Sequence, residues 1–100
     1  MIALRTVVDF RGITRLGVLE IRLAVETFDD VTGRVLGTHN HRTVVAPGDN
    51  LDTTIEANNR SLVDMGFPLI AGPELAILRA EVVREHTPAV IAAYQARHPT

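Results

Sequence analysis

The stretch GVLEIRLAVETF, residues 17–28, decides the fold of this chain. Apolar and charged side chains alternate along it with a period of two. Successive side chains of a β-strand point to opposite faces, so this pattern predicts a strand with one face buried and one face in water. The apolar set is Leu19, Ile21, Leu23 and Val25, and the charged set is Glu20, Arg22 and Glu26.

Strand patterns also lie on both sides of this stretch. In MIALRTVVDF, residues 1–10, the even positions are predicted to share one face and the charged residues the other. DDVTG, residues 29–33, has the composition of a tight turn, and RVLGTHNHRTVVA, residues 34–46, is expected to pair back as a hairpin. Its alternation is weak between Gly37 and Arg42, which predicts an edge strand or a bulged strand. The even set of the first strand is Ile2, Leu4, Val8 and Phe10, opposed by Arg5 and Asp9.

The remaining residues, 47–100, show helical patterns. Asp49 or Asn50 can cap a first helix, which Gly66 ends; Pro73 opens a second helix, and Thr87 caps a third. The apolar stripe of the first helix is Leu51, Ile55, Asn58, Leu62 and Met65, and the run Asn58–Asn59–Arg60 is expected to be mostly a hydrated face. The sequence therefore predicts one α+β domain, residues 1–100, with an antiparallel sheet of about three strands in residues 1–46 and three helices in residues 47–100.

The second helix is apolar on two sides. One stripe consists of Leu75, Leu78 and Val82, and the other of Ala76, Ala80 and Val83, with Ile77 outside both. Such a helix is covered on both sides, either within its own fold or by another chain. The partner interface that we predict consists of Ile77, Ala80, Val83, Arg42 and Tyr94.

Composition disfavours several classes of protein. The formal net charge is −2 and the ten basic residues, all arginine, are scattered, which disfavours nucleic acid as a partner. There is no cysteine for a disulfide or a thiolate metal site. No apolar run approaches the roughly 20 residues of a membrane-spanning helix, and Arg5 and Asp9 disfavour a signal peptide at the N-terminus. We therefore expect neither a membrane nor a nucleic-acid partner.

The stretch THNHR, residues 38–42, raises the question of a metal site. His39 and His41 share a strand face, but a site needs further ligands, and the candidates His86, Asp29 and Asp30 are distant in sequence. A hydrated strand face is the simpler interpretation. On that view, replacing both histidines by alanine changes the free energy of unfolding by no more than about 0.5 kcal/mol.

No pattern of catalytic residues stands out. The single serine, Ser61, lies within a predicted helix without a glycine-rich turn, and no phosphate-binding loop is present. We predict no catalytic residue and no cofactor. A histidine-dependent metal-binding enzyme is kept as the alternative from a different class.

Four stretches of the chain resemble a group of short proteins encoded among the tail and virion genes of long-tailed bacteriophages. The likeness spans Glu20 to Ala96 and depends on turn and cap residues, which are typical of a fold and not of a reaction. The stretches are DDVTGRVL (29–36), HRTVVAPGDN (41–50), ANNRSLVDMGFPLI (57–70) and EHTPAVIAAYQA (85–96).

The resemblance implies a non-enzymatic structural or accessory protein of a tailed-phage virion. Such a protein is made in the host cytoplasm and joins or decorates components of the tail or tail tip. Its expected partners are other virion proteins and copies of itself. The alternatives are decoration of the head or neck, or a small regulator that binds a host protein.

Overall fold

The computed structural model describes residues 1–97 as a three-stranded sheet followed by three helices. All neighbouring strands are antiparallel, and β2 lies in the centre of the sheet. The predicted α+β class is therefore confirmed. The strands are β1 (Ile2–Ile13), β2 (Leu19–Asp29) and β3 (Val35–Val45), and the helices are α1 (Leu51–Asp64), α2 (Gly72–Glu85) and α3 (Pro88–Arg97).

The alternation of β2 divides the sheet into two faces. The residues at its odd positions from Leu19 to Val25 are buried against the helices, which lie on one face only: α1 contacts β3 and α2 contacts β1. Apolar burial of this kind contributes about 1.5–3 kcal/mol for each large side chain. The core comprises Leu19, Ile21, Leu23 and Val25 of β2, Val45 of β3, Leu51, Ile55 and Leu62 of α1, Ile70, and Leu78 of α2.

A bulge in β1 overturns part of the predicted pattern. Val8 pairs with Leu23 and Phe10 pairs with Arg22, so Asp9 is an extra residue in the ladder. An extra residue reverses the facing of every side chain that follows it. Phe10 therefore lies on the face away from the helices, opposite to Ile2, Leu4 and Val8, and the prediction that all four share one face is wrong.

The helix boundaries agree with the cap residues in the sequence. Asn50 Oδ1 accepts hydrogen bonds from the backbone N–H groups of Asp52 (2.9 Å) and Thr53 (3.3 Å). Gly66, with a φ of +80°, follows the end of α1. Thr87 Oγ1 accepts a hydrogen bond from the Val90 N–H at the start of α3. These side chains satisfy backbone groups that would otherwise lack partners at the helix ends.

His86 joins the end of α2 to the turn between β1 and β2. Its side chain is 8% exposed, and its Nε2 lies 2.8 Å from the carbonyl oxygen of Gly17. A carbonyl only accepts, so Nε2 is the donor and, in the neutral ring, carries the proton. Gly17 has a φ of +89°, and a Cβ there would lie 2.7 Å from Val90 Cγ1. Glycine is therefore required at position 17 for two reasons: the backbone conformation of the turn and the close approach of α3.

The sheet extends beyond the helices. An 11- or 12-residue strand is about 36–40 Å long, whereas a 14-residue helix is about 21 Å long. Ile2 and Leu4 point to the helix side but are 66% and 44% exposed, because no helix covers that end. The molecule is accordingly elongated, with a radius of gyration of 15.4 Å against about 13 Å for a compact domain of this length.

Leu62 and Val63 provide a direct test of where the core lies. Leu62 is fully buried, whereas its neighbour on α1, Val63, is 57% exposed. We expect Leu62→Ala to lower the free energy of unfolding by about 2–5 kcal/mol, because the truncation leaves a cavity. Val63→Ala is the matched control and should change it by less than about 0.5 kcal/mol. Urea denaturation measures both; equal effects would show that the helix is packed by a different face.

Candidate interaction surface

The face of the sheet opposite the helices carries no second layer among residues 1–97. Side chains from all three strands lie on it in aligned cross-strand rows. We call it the open face. Its residues are Ala3, Arg5, Val7, Phe10 and Gly12 of β1, Glu20, Arg22, Ala24, Glu26 and Phe28 of β2, and Val35, Thr38, Asn40, Arg42 and Val44 of β3.

Two similar groups of side chains lie on the open face. In the Arg5 cluster, Arg5 Nε is 2.8 Å from Glu26 Oε1, and its guanidinium carbon lies 4.3 Å from the centroid of the Phe28 ring. In the Arg22 cluster, Arg22 Nη2 is 2.7 Å from Asp9 Oδ2, and its guanidinium lies 5.8 Å from the Phe10 ring. Each cluster combines an ion pair with a cation–π contact. The middle row Val7–Ala24–Asn40 separates them.

Arg42 differs from the other arginines of the open face. It lies directly opposite Arg22 in the β2–β3 register, and among the described residues it has no ion-pair partner. Like charges directly opposite each other in a sheet are destabilising. The two arginines, with Phe10 and Val44, line a shallow cavity of about 380 Å³. Glu20 lines the same cavity. The open face thus has an arginine without an ion-pair partner beside exposed apolar surface, with Phe10 50% and Val44 56% exposed.

The two edges of the sheet also differ. The β1 edge is partly covered by the α1–α2 connection, because Thr6 forms a parallel bridge with Ile70 and its Oγ1 donates to Pro68 O at 2.7 Å. Strand β3 has no strand neighbour on its outer side within residues 1–97, and it is bulged opposite Thr27–Phe28. Both parts of the edge-or-bulge prediction for this strand are confirmed. A free edge of this length can accept a strand from another chain.

The histidines of THNHR share a strand face, as predicted, but this is the helix side of the sheet. The His39 ring is exposed and lies 5.1 Å from the Phe67 ring. His41 is half-buried, with its Nε2 2.8 Å from Asn58 Oδ1. The amide of Asn58 also donates to Thr54 O at 2.8 Å, which orients its oxygen towards the histidine and makes Nε2 the donor. His41 is therefore a structural link between β3 and α1, and the interpretation of both residues as a hydrated face fails for His41.

The asparagines of α1 have structural roles that the expectation of a hydrated face did not include. Asn58 is 7% exposed and, in addition to the bonds above, donates to Thr43 Oγ1 at 3.1 Å. Asn59 Oδ1 accepts a hydrogen bond from the Ile70 N–H at 3.0 Å. The position of Asn58 within the apolar stripe was the one signal in the sequence that it is buried.

The predicted interface residues lie on three separate surfaces. Val83 is 78% and Ile77 39% exposed, and Ala80 is also exposed, all on the outer side of α2, whereas Leu78 of the other stripe is buried. Arg42 lies on the open face, on the far side of the sheet. Tyr94 is half-buried on α3 and lines a cavity of about 310 Å³ beside the β1–β2 turn. The structure does not bring these five residues together, and their role in a partner interface stays a prediction.

The other candidates for chemistry have local partners. Asp29 Oδ1 accepts from the Val31 N–H in the hairpin turn, and Asp30 lies 3.0 Å from the N-terminal amino group. Ser61 is exposed on α1. At the end of α2, hydrogen bonding to Glu81 raises the pKa of Arg84 above its ordinary value. These contacts stabilise turns and helix ends.

The described residues contain neither a cluster of metal ligands nor a helix that could span a membrane. Among residues 1–97, no three His, Asp or Glu side chains are grouped in a way that could hold a metal ion. None of the helices in that range has the length and apolar character needed to cross a membrane.

Comparison with known proteins adds no assignment. No protein-family model matches the chain, and neither a curated protein nor a solved structure is significantly similar to it.

The His41–Asn58 contact gives a prediction with a matched control on the same strand face. We expect His41→Ala to lower the free energy of unfolding by about 1–3 kcal/mol, because the buried Asn58 oxygen loses its donor. His39→Ala should cost less than about 1 kcal/mol, since that ring is exposed. Chemical denaturation at neutral pH measures both; a His41→Ala effect as small as that of His39→Ala would restore the hydrated-face interpretation.

Proposed function

We propose that this chain is a non-enzymatic assembly protein that acts by binding other protein chains. The observation that supports it most directly is the open face, where three arginines and two phenylalanines lie on a sheet that no other part of the described chain covers. Arginine and aromatic side chains are enriched in protein interfaces and among the residues that contribute most to binding.

The free edge of β3 supports the same proposal. Its backbone groups are directed outwards along an 11-residue strand that contains no proline and has Arg42 as its one charged side chain. Natural sheets usually protect such edges with proline, lysine, inward charges or bulges, unless the edge is used for pairing. The bulge opposite Thr27–Phe28 protects only one end of β3, so the rest of the strand can pair with a strand of another chain.

The biological setting that we propose follows from the sequence resemblance. The chain would be a structural or accessory component of a tailed-phage virion that joins or decorates the tail or tail tip. Its elongated shape and its one-sided sheet are compatible with a part that is completed by its neighbours. Decoration of the head or neck uses the same surfaces and is separated from the tail role by the experiment below.

Particle composition tests this proposal. Phage particles that encode the chain are purified on a density gradient, dissociated into heads and tails, and analysed by quantitative mass spectrometry. We expect the chain to be present at a fixed copy number in the tail fraction, at a constant ratio to the major tail protein. Particles from a related phage without this reading frame are the control.

The other outcomes each have a definite meaning. Presence in the head fraction would assign the chain to the head or neck. Absence from particles, with the protein abundant in the lysate, would overturn the virion assignment and favour a regulator that binds a host protein.

A further inference from the structure

The charges of the open face are arranged about its middle row. On β2, Arg22 lies two residues before Ala24 and Glu26 lies two residues after it, and both point away from the helices. Ala24 is 1% exposed, so neighbouring side chains of the chain itself cover this small residue. Val7 and Asn40 flank it on the neighbouring strands. Arg22 and Glu26 are thus placed at equal distances on opposite sides of Ala24, with Glu20 one row beyond Arg22 and Arg5 beside Glu26.

This arrangement is self-complementary under one particular rotation. Consider a two-fold axis that passes over Ala24, parallel to the sheet and perpendicular to the strands. It places a second copy face to face with the first and reverses its strand direction. Arg22 then lies over Glu26 of the second copy, and Glu26 over Arg22, so each charge meets the opposite charge twice by symmetry.

The outer strands are compatible with the same rotation. Arg5 lies over Phe10 of the second copy, which is the geometry of a cation–π contact, and Val35 lies over Val44. Arg42 lies over Thr38 of the second copy, one strand away from Glu26. The arginine that lacks an ion-pair partner in its own chain therefore gains a carboxylate, and the Arg22–Arg42 repulsion is offset.

The alternative face-to-face geometry is unfavourable. A two-fold axis parallel to the strands places Arg22 over Arg22 and Glu26 over Glu26 of the second copy. Like-charge juxtaposition in an interface costs several kcal/mol. The charges of β2 therefore select the antiparallel stacking.

The spacing of packed sheets and the dimensions of the open face are consistent with a small interface between the two copies. Face-packed sheets lie about 10 Å apart and cross at about 30°, which displaces the two β2 strands by about 3–4 Å at the positions of Arg22 and Glu26. An arginine side chain can span that offset. The face measures about 14 Å by 35 Å, so the complex buries on the order of 1,000 Å² in total, at the lower limit of specific interfaces.

The existing ion pairs do not prevent this contact. Arg22 and Glu26 keep 36% and 21% of their side-chain surface exposed while bonded to Asp9 and Arg5. A carboxylate has about four acceptor positions, so Glu26 can accept one hydrogen bond each from Arg5 of its own chain and from Arg22 and Arg42 of the second copy. The stacking would join both clusters into one network across the interface.

We propose that two copies of this chain associate through their open faces, antiparallel and centred on Ala24, with Arg22 of each copy bound to Glu26 of the other. The proposal deepens the proposed function by naming a partner, and it rests on the chain being an assembly protein. The small interface implies a dimer that dissociates on dilution and weakens with added salt.

A charge swap tests this geometry. Sedimentation velocity over a concentration series, with native mass spectrometry, follows the wild type, Arg22→Glu, Glu26→Arg and an equimolar mixture of the two variants. Each single reversal places like charges together twice, and we expect it to weaken dimerisation by about 100-fold or more. In the mixture every pair is again opposite in sign, so a heterodimer of near wild-type affinity should form.

A matched control is available on the helical side. Arg60→Glu makes the same change of charge as Arg22→Glu and also removes an exposed ion pair, with Glu56. It should leave dimerisation unchanged. Far-UV circular dichroism establishes that each variant is folded, and rescue in the mixture requires that both be folded.

The possible results separate this inference from the proposed function. A wild-type oligomer that neither reversal weakens would overturn the open-face dimer and leave the assembly role intact. Two monomeric variants that fail to associate when mixed would refute the pairing of Arg22 with Glu26. A wild type that is monomeric at all concentrations would also refute the dimer, and the virion assignment would then depend on the particle analysis alone.

Discussion

The structure depends on the packing of two helices against one row of side chains in β2. This row consists of Leu19, Ile21, Leu23 and Val25, each at most 4% exposed. The buried leucines and isoleucine of α1 and α2 pack against it. The apolar face of a sheet must be buried against another element for the domain to be stable. The buried row therefore stabilises the sheet and the helices together, and neither layer has another partner within residues 1–97.

The length of the layers determines which surfaces remain free. Two 14-residue helices cover only part of one face of strands that are nearly twice as long. The opposite face and the β3 edge stay uncovered, and the aromatic and charged residues of the sheet are concentrated there. The same one-sided packing that completes the protomer leaves the surface on which the assembly proposal is based.

Polar contacts also join the helices to the sheet. Asn58 joins α1 to β3 through His41 and Thr43, and His86 joins the end of α2 to the β1–β2 turn. His86 Nδ1 is buried without a hydrogen-bond partner among the described residues. Buried polar groups are costly unless they are bonded, so these side chains constrain how the helices lie on the sheet. The two histidines have structural roles of the same kind, although only His41 lies in the stretch that suggested a metal site.

The sequence by itself determined the elements, their order and the buried face of β2. Alternation with a period of two, capping at Asn50 and Thr87, and the glycine and proline residues at the helix ends are local signals, and local physics is sufficient to interpret them. Tertiary structure decided which face each outer strand presents. Period two shows that His39 and His41 share a face but not which one, and a single extra residue at Asp9 moved Phe10 to the open face. The pairing of Asp9 with Arg22, of Arg5 with Glu26 and of Asn58 with His41 joins residues 13–21 positions apart, and only the register of the sheet and the placement of the helices brings them into contact.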